Sequence, residues 1–224
     1  MVVPVIMAVK DRPELTKQTV DTLFRTTDPS MFRLIIVSDC SSQETNDYLK
    51  TLEDRAKVVY MEKPTCAPAC KNAGMAIAGD SEYYYLTDND MYFCEGWLDK
   101  LLKIMELFPS VGIVGGKGHD YHGAISLQED SGVKIKTTLQ QPGFSMLIRK
   151  KVWLDYGPFI HFERTELGRD DVRFCDLARN GGWEIAQPIE PVVFHCGMKN
   201  TFNTDPAGAE AERQQQFLVD AIVR

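Results

Sequence analysis

No apolar run in this 224-residue chain approaches the roughly 20 residues that a helix needs to cross a bilayer. The opening, MVVPVIMAVKDRPE, has no charged region before its apolar stretch and no small-residue cleavage site after it. It therefore predicts a first strand rather than a signal peptide. From these absences we expect a protein of the cytoplasm, or one at the edge of a membrane.

Positive charge is in deficit, with 25 Lys and Arg against 32 Asp and Glu and a net charge of −7. Nucleic-acid binders usually carry a basic face, so this balance disfavours a DNA or RNA partner. An acidic protein that handles an anionic ligand needs local positive charge or a metal ion to offset the repulsion. The hydrophobic fraction of 44% argues against disorder.

Clustered cysteines are also lacking. The only close pair is Cys66 and Cys70, and no second cysteine or histidine pair accompanies it, which weighs against the alternative of a zinc site. We expect free thiols in a reducing compartment. The six cysteines are Cys40, Cys66, Cys70, Cys94, Cys175 and Cys196.

Apolar runs and amphipathic stretches alternate along the chain, which predicts an α/β fold with a mostly parallel central sheet and helices on both faces. The pattern loosens after residue 116. The predicted strands are 2–9, 32–37, 57–61, 83–87, 111–115, 133–138, 144–148, 183–186 and 192–195. The predicted helices are 13–26, 43–54, 67–78, 97–108, 150–156, 170–180 and 207–223.

Polar groups follow three of the predicted strands. Ligands of parallel α/β sheets collect beyond the carboxyl ends of the strands, so these groups are expected to line one rim. They are Lys10-Asp11-Arg12, Ser38-Asp39 and Asp88-Asn89-Asp90.

Asp88 and Asp90 are the most informative of these residues. Side chains at i and i+2 of an extended segment can face the same way, and a hard divalent cation would relieve the repulsion between two carboxylates. Mg²⁺ or Mn²⁺ there could bridge to a diphosphate, with Asn89 in the same motif. His195, at the end of the last predicted strand, could add an imidazole ligand. The alternatives are a solvated turn and a histidine satisfied by backbone groups.

Asp170 and Asp171 open a predicted helix, where acidic residues complement the helix dipole. Alternatively, one of them is a general base aimed at an acceptor hydroxyl. The segment Gly115–Gly123 is either a mobile loop that closes over ligands or an ordinary surface loop. Trp97 and Trp153 could stack on a bound ligand, but their helix positions favour core packing.

Six segments in the same order resemble family 2 of the glycosyltransferases, which has the GT-A fold, and the likeness covers nearly the whole chain. VPVIMAVKDRPELTKQTVDTL resembles the first strand and helix of that family, and SDCSSQET stands where the family usually has Asp-Asp-Gly-Ser. CKNAGMAIA is similar to its Arg-Asn-x-Gly helix start, and YYYLTDNDMYFCEGWLDKLL to its acidic motif and flanking elements. GFSMLIRKKVWLDYGPF resembles the segment before the acceptor site, and RDDVRFCDLARNGGWEI the Glu-Asp helix.

The resemblance implies one GT-A domain over residues 1–224, with a nucleotide-sugar half at 1–116 and an acceptor and catalytic half at 117–224. It implies metal-dependent transfer with inversion from a nucleotide-sugar, a UDP-sugar above all, with Mn²⁺ or Mg²⁺ as cofactor. The acceptor stays open: a glycan, a lipid-linked sugar, a protein, a small molecule or a modified base in DNA.

The resemblance also implies roles for single residues. Asp90 and His195 would hold the metal together with Asp88, and Asp171 would be the base with Asp170 beside it. The donor would contact Val9, Asp11, Asp39, Lys71, Asn72 and Asp88.

Several positions depart from the family pattern. Ser38 and Cys40 flank Asp39 where an acid and a glycine are usual, and Lys71 replaces the commoner arginine. Asp170 stands where glutamate is usual, and Arg173 where a second acid is common, so the base stays open between Asp170 and Asp171.

Two other functions are weighed against sugar transfer. A nucleotidyltransferase that makes a sugar nucleotide usually has a glycine-rich loop after its first strand, and KDRPE has no glycine. A non-catalytic sugar-nucleotide-binding module would not need Asp90, Asp171 and His195.

Overall fold

A computed structural model describes residues 1–116, 125–160 and 170–196. The predicted helix 207–223 and most of the loop 115–123 lie outside these residues. The strands are β1 Val3–Val9, β2 Phe32–Ser38, β3 Ala56–Tyr60, β4 Tyr83–Asp88, β5 Met91–Phe93, β6 Val111–Val114, β7 Ser126–Asp130, β8 Val133–Thr138, β9 Ser145–Arg149, β10 Glu184–Pro188 and β11 Val193–His195. The helices are α1 Pro13–Thr26, α2 Gln43–Lys50, α3 Ala67–Ile77, α4 Trp97–Leu107, α5 Lys150–Tyr156 and α6 Asp170–Asn180.

The central sheet separates two hydrophobic cores because its strands are apolar on both faces. All seven residues of β1 are buried, and successive side chains point to opposite faces of a strand. Val5 and Val9 face one core with α1, α2 and α4, whereas Ile6 faces the other with α3, α5 and α6. This arrangement confirms the predicted α/β fold with helices on both faces.

The nine-stranded sheet has the order β3-β2-β1-β4-β9-β6-β10-β8-β7. Strands β8 and β9 run opposite to the other seven, and β9 lies between β4 and β6. The sheet is therefore mixed but mostly parallel, and the carboxyl ends of β1, β2 and β4 meet at one rim.

Two strands were not predicted from the sequence. The three-residue β5 forms a separate antiparallel pair with β11, and the polar β7 pairs with β8 at the sheet edge. The second predicted helix is also shorter than expected, since α2 ends at Lys50 and turns follow it.

Close packing fixes α3 on the sheet beneath the rim. A Cβ atom at Gly74 would lie 2.4 Å from Ile6 Cγ2, so only glycine lets the helix approach β1 this closely. Because α3 carries Lys71 one turn earlier, this contact fixes the height of Lys71 relative to the strand ends.

Trp97 and Trp153 pack in or against the hydrophobic cores, as their helix positions favoured. Trp97 packs against Tyr85 and Phe93, and its indole N–H donates to Thr27 Oγ1 at 2.7 Å. Trp153 packs against the aromatic rings of the second core.

All six cysteines lie in the described residues, and none forms a disulfide. Across the described ranges, no helix combines the length and apolarity that a bilayer span requires.

Candidate active site

The turn after β1 has an unusual backbone that many contacts hold in place. Asp11 and Arg12 have φ angles of 54° and 58°, in the left-handed region that side chains other than glycine rarely adopt. The Asp11 N–H donates to Ser41 Oγ at 3.1 Å, and Asp11 Oδ1 accepts from the Ser42 N–H at 2.6 Å. Strain of this kind persists only where the surroundings enforce it, and it gathers at functional sites.

The turn after β2 is held in a similar way. Cys40 has a φ of 47°, and Lys10 Nζ donates to the carbonyl oxygens of Asp39 and Cys40 at 2.6 and 3.0 Å. The Asp39 carboxylate accepts from both the N–H and the hydroxyl of Thr65, at 2.6 and 3.0 Å. These contacts orient Asp39 at the rim beside the end of β1.

A cleft of about 350 Å³ opens between these turns and the start of α3. Five of the residues predicted to bind the donor or the metal line this cleft, whereas Lys71, Asn72, His195, Asp170 and Asp171 do not. The lining residues are Ala8, Val9, Lys10, Asp11, Arg12, Asp39, Ala67, Cys70, Asp88, Asn89 and Asp90. The polar groups that follow the strands were expected to line one rim, and the structure places a cleft there.

Asn89 ties the β4 turn to the β1 turn. Its side-chain amide donates to the carbonyl oxygen of Asp11 at 2.9 Å and to Thr16 Oγ1 at 2.7 Å. With Asn89 buried in this way, Asp88 and Asp90 on either side meet different partners.

Asp90 lies between the side chains of Arg12 and His195. Arg12 Nη1 donates to Asp90 Oδ2 at 2.8 Å, and His195 Nε2 lies 3.2 Å from the same oxygen. Burial alone would raise the pKa of Asp90, but the contacts with His195 and Arg12 outweigh it and hold this pKa below its usual value. Asp90 is therefore a carboxylate that keeps its charge although it is only 6% exposed.

The small β5–β11 sheet brings His195 to Asp90. His195 pairs with Met91, next to Asp90 in sequence, and the Cys196 N–H donates to the Asp90 carbonyl at 2.7 Å. The Phe144 ring stacks on the imidazole at 4.8 Å between centroids and 11° between planes, which fixes the orientation of the ring. Asp90 and His195 thus lie in contact although they are more than 100 residues apart in sequence.

Asp90 and His195 are the candidate ligands of a divalent metal ion. Asp90 Oδ1 is buried and accepts no hydrogen bond from any other described residue, although a buried carboxylate oxygen normally has a partner. Among residues 1–116, 125–160 and 170–196, no group of three or more His, Cys, Asp or Glu side chains forms a complete ligand set. A cation held here would take its remaining ligands from a bound diphosphate and water.

Asp88 connects to Asp171 through Lys71 and a peptide group. Lys71 Nζ lies 2.6 Å from Asp88 Oδ1 and donates to the Gly143 carbonyl at 2.8 Å. The Gly143 N–H donates in turn to Asp171 Oδ2 at 2.9 Å. One chain of polar contacts therefore runs from the end of β4 to the start of α6.

Both carboxyl groups at the start of α6 have raised pKa values. Burial raises the pKa of Asp171, and the N–H groups of Gly143 and Val172 oppose this only in part. Burial also raises the pKa of Asp170, and the charge of Asp171 adds to the effect. Carboxylates that are partly desolvated in this way are better proton acceptors than exposed ones.

Asn72 has a structural contact. Its side-chain amide donates to the Phe159 carbonyl and its oxygen accepts from the Phe159 N–H, both at 2.9 Å. This two-way pairing joins α3 to the segment that follows α5.

We expect Lys71→Met to lower the free energy of unfolding by about 3 kcal/mol, the usual loss when one partner of a buried ion pair is removed. Lys71 is 4% exposed and faces Asp88, Asp170 and Asp171, whose charges would lose their compensation. Urea unfolding at neutral pH measures the change.

Lys103→Met is the matched control, because Lys103 pairs with Glu106 on the surface of α4. We expect it to change the unfolding free energy by less than about 0.5 kcal/mol. Equal effects of the two substitutions would show that the Lys71 contacts contribute no special stability.

The sequence did not single out Arg12, Gly143 or Phe144. Arg12 belongs to a polar group that was expected at the rim, but its contact with Asp90 depends on a left-handed backbone that KDRPE does not indicate. The contacts of Gly143 and Phe144 are long-range, so no local pattern signals them.

Known proteins that are similar to this chain show its fold and its family. A sequence comparison with curated proteins gives no match. Among solved structures, a Pyrobaculum calidifontis mannosyltransferase with GDP-mannose and Mn²⁺ is similar at a TM-score of 0.70 and 16% identity, covering 99% of this chain and 64% of that one. TarS 1-349 of S. aureus with UDP-GlcNAc gives 0.69 and 13%, covering 97% and 66%. GalNAc-T7 with UDP, GalNAc and Mn²⁺ gives 0.67 and 12%, covering 87% and 44%.

These similarities establish the GT-A-type fold that was predicted. The chain spans less than two thirds of the length of these structures. The model of glycosyl transferase family 2 matches residues 5–153, which is more than half of the sequence. The chain therefore belongs to glycosyl transferase family 2.

Proposed function

We propose that this protein transfers a sugar from a nucleotide-sugar to an acceptor hydroxyl, with inversion at the anomeric carbon and with a divalent cation. The observation that carries the proposal is the convergence at the β4 turn. On one side Asp90 meets His195, and on the other Asp88 connects through Lys71 and Gly143 to Asp171. Asp90, the proposed metal ligand, and Asp171, the proposed base, are thus both connected to the turn after β4.

The cleft beside this turn is the proposed site of the nucleotide. Asp39, oriented by Thr65, would accept a hydrogen bond from an N–H group of the nucleobase. Asp11 and Val9 would lie against the nucleobase and the ribose. Lys71 and Asn72 would act from behind the cleft by holding Asp88 and the acceptor half in place. UDP-sugars are the favoured donors, as the family resemblance implies.

Asp90 and His195 would hold the cation, which supplies charge neutralisation for the departing diphosphate. One carboxylate oxygen and one imidazole nitrogen suit Mn²⁺ better than Mg²⁺, which prefers oxygen ligands alone. Two of the similar structures contain Mn²⁺.

Asp171 would take the proton of the acceptor hydroxyl. As that proton leaves, the hydroxyl oxygen bonds to the anomeric carbon from the face opposite the diphosphate. The bond between the anomeric carbon and the phosphate oxygen breaks, and the nucleoside diphosphate leaves with its electron pair. Asp170 lies beside this base, and burial together with the charge of Asp171 raises the pKa of Asp170.

A thermal-shift screen of UDP-, GDP- and dTDP-sugars, each with Mn²⁺ and with EDTA, tests the proposal. A ligand at 100 times its Kd stabilises a protein by about 2.7 kcal/mol, which is a readily measured shift in Tm. We expect the largest shift for a UDP-sugar with Mn²⁺ and a much smaller one with EDTA. No shift for any donor would contradict donor binding.

Slow hydrolysis of the stabilising donor separates an enzyme from a binding module. A transferase without its acceptor usually passes the sugar to water at a low rate, whereas a binding module leaves the donor intact. We expect free sugar to accumulate only in the presence of Mn²⁺, which chromatography of the reaction mixture measures.

A further inference from the structure

Arg12 occupies an unusual place beside the proposed metal site. Its guanidinium contacts Asp90 Oδ2, the same oxygen that His195 approaches, whereas Asp90 Oδ1 accepts no hydrogen bond from any other described residue. One oxygen thus contacts both Arg12 and His195, whereas the other has no hydrogen-bond partner among the described residues. A divalent ion that bound Asp90 and His195 would meet a positive charge already in contact with its ligand.

The backbone of Arg12 is fixed, but its side chain is accessible. The Arg12 carbonyl accepts from the N–H and the hydroxyl of Thr16, both at 2.9 Å, and Asn89 holds the preceding carbonyl. The side chain is 42% exposed and lines the cleft together with Lys10. Only the guanidinium can therefore move readily, and the open direction is into the cleft.

We propose that Arg12 is a counter-ion of Asp90 in the donor-free protein and turns to the donor's diphosphate when the cation binds. The inference rests on the proposed function, and it adds a positioning residue that couples metal binding to nucleotide binding. Arginine suits the exchange, because its planar fork pairs equally well with a carboxylate and with phosphate oxygens.

The exchange predicts two opposite effects of removing the guanidinium. Without Arg12 the cation meets less repulsion at Asp90, so Mn²⁺ alone binds more tightly. In EDTA no cation neutralises Asp90, so without Arg12 the unpaired carboxylate repels the diphosphate and UDP binds more weakly. A residue that only kept Asp90 in place would give weaker binding in both cases.

The test measures Mn²⁺ affinity by electron paramagnetic resonance, with and without UDP, and UDP affinity in EDTA by calorimetry. The variants are Arg12→Gln and Arg12→Gly, and glycine adopts the φ of 58° without strain. We expect Mn²⁺ alone to bind about 5- to 150-fold more tightly, the usual range of coupling between sites. The factor by which UDP improves Mn²⁺ binding should shrink.

Lys17→Gln is the matched control, since it removes the same charge from the exposed side of α1, where Lys17 pairs with Asp21. It should leave all three affinities unchanged. Unchanged or weaker Mn²⁺ binding in both Arg12 variants would overturn the counter-ion role while leaving the metal site intact. Absence of Mn²⁺ binding in the parent protein, even with UDP, would instead overturn the metal site and this inference with it.

Discussion

Asp171→Asn is expected to lower the rate of sugar transfer by about 10²- to 10⁴-fold, the usual contribution of a positioned general base. Asparagine is isosteric and its oxygen can still accept the Gly143 N–H, but it cannot take a proton from the acceptor. Donor affinity should be retained, because Asp171 does not line the nucleotide cleft. A product assay at saturating donor measures the loss.

The pH profile gives a second sign of the same role. Burial raises the pKa of Asp171 above 3.8, so a base at this position is protonated, and inactive, at a pH where an exposed aspartate is still ionised. Activity should fall as pH decreases through this raised pKa, and the acidic limb should disappear in Asp171→Asn.

The contribution of Asp171 to the free energy of unfolding should change with pH in the direction opposite to activity. A carboxyl group whose folded pKa lies above its unfolded pKa destabilises the folded protein once it ionises, at pH values above the folded pKa. This penalty is relieved as pH falls through that value. Relief of this penalty offsets the loss of the Val172 N–H contact that asparagine cannot accept, so Asp171→Asn should reduce the free energy of unfolding at neutral pH by less than Lys71→Met does.

Two variants on α6 sharpen the test. Asp176→Asn changes a partly exposed carboxylate that pairs with Arg179, and it should leave transfer unchanged. Asp170→Asn removes the neighbouring carboxylate and should have a much smaller effect than Asp171→Asn. A larger loss in Asp170→Asn would move the base to Asp170, and full activity in both variants would contradict a base on α6.

Asp90→Asn is expected to reduce metal-dependent donor hydrolysis by about 10²- to 10³-fold, since a metal ion stabilises the departing charge by several kcal/mol. Asparagine can still accept from Arg12, so the turn after β4 should keep its shape, but the amide lacks the charge that holds a cation. Hydrolysis rates over a Mn²⁺ titration measure the effect.

The loss should be partly recovered at high Mn²⁺ concentration if the defect lies in metal affinity. Asp47→Asn, which changes an exposed carboxylate on α2, should behave as the parent protein does. A rate in Asp90→Asn that equals the parent rate at every Mn²⁺ concentration would exclude Asp90 as a ligand.

Local patterns in the sequence were enough to predict most strands of the central sheet. The strand Val3–Val9 is apolar and Tyr83–Asp88 is rich in aromatic residues, as expected of strands buried on both faces, and that composition is visible in the chain itself. Strand direction is not visible in this way. The antiparallel course of Ser145–Arg149 between two parallel strands depends on long-range pairing.

The two unpredicted strands have the same explanation. Met91–Phe93 is too short to show a period and is a strand only because Val193–His195 pairs with it. Ser126–Asp130 is polar and largely exposed, so its pairing partner Val133–Thr138, and not burial, makes it a strand.

The rule that ligands collect at strand ends found the acidic part of the candidate site. Asp11, Asp39 and Asp90 each follow a buried strand, and the fold brings all three to the cleft. The contacts of Arg12 with Asp90 and of Gly143 with Asp171 could not be predicted, because they join segments 78 and 28 residues apart.

Calorimetric titration of UDP and GDP into the protein, with Mn²⁺ and then with EDTA, tests most directly whether a cation at Asp90 and His195 holds a nucleoside diphosphate. We expect measurable binding of UDP with Mn²⁺, weaker binding of GDP, and a loss of at least about tenfold in affinity in EDTA. Equal affinities with and without the metal ion, or no binding of either nucleotide by the folded protein, would contradict this account.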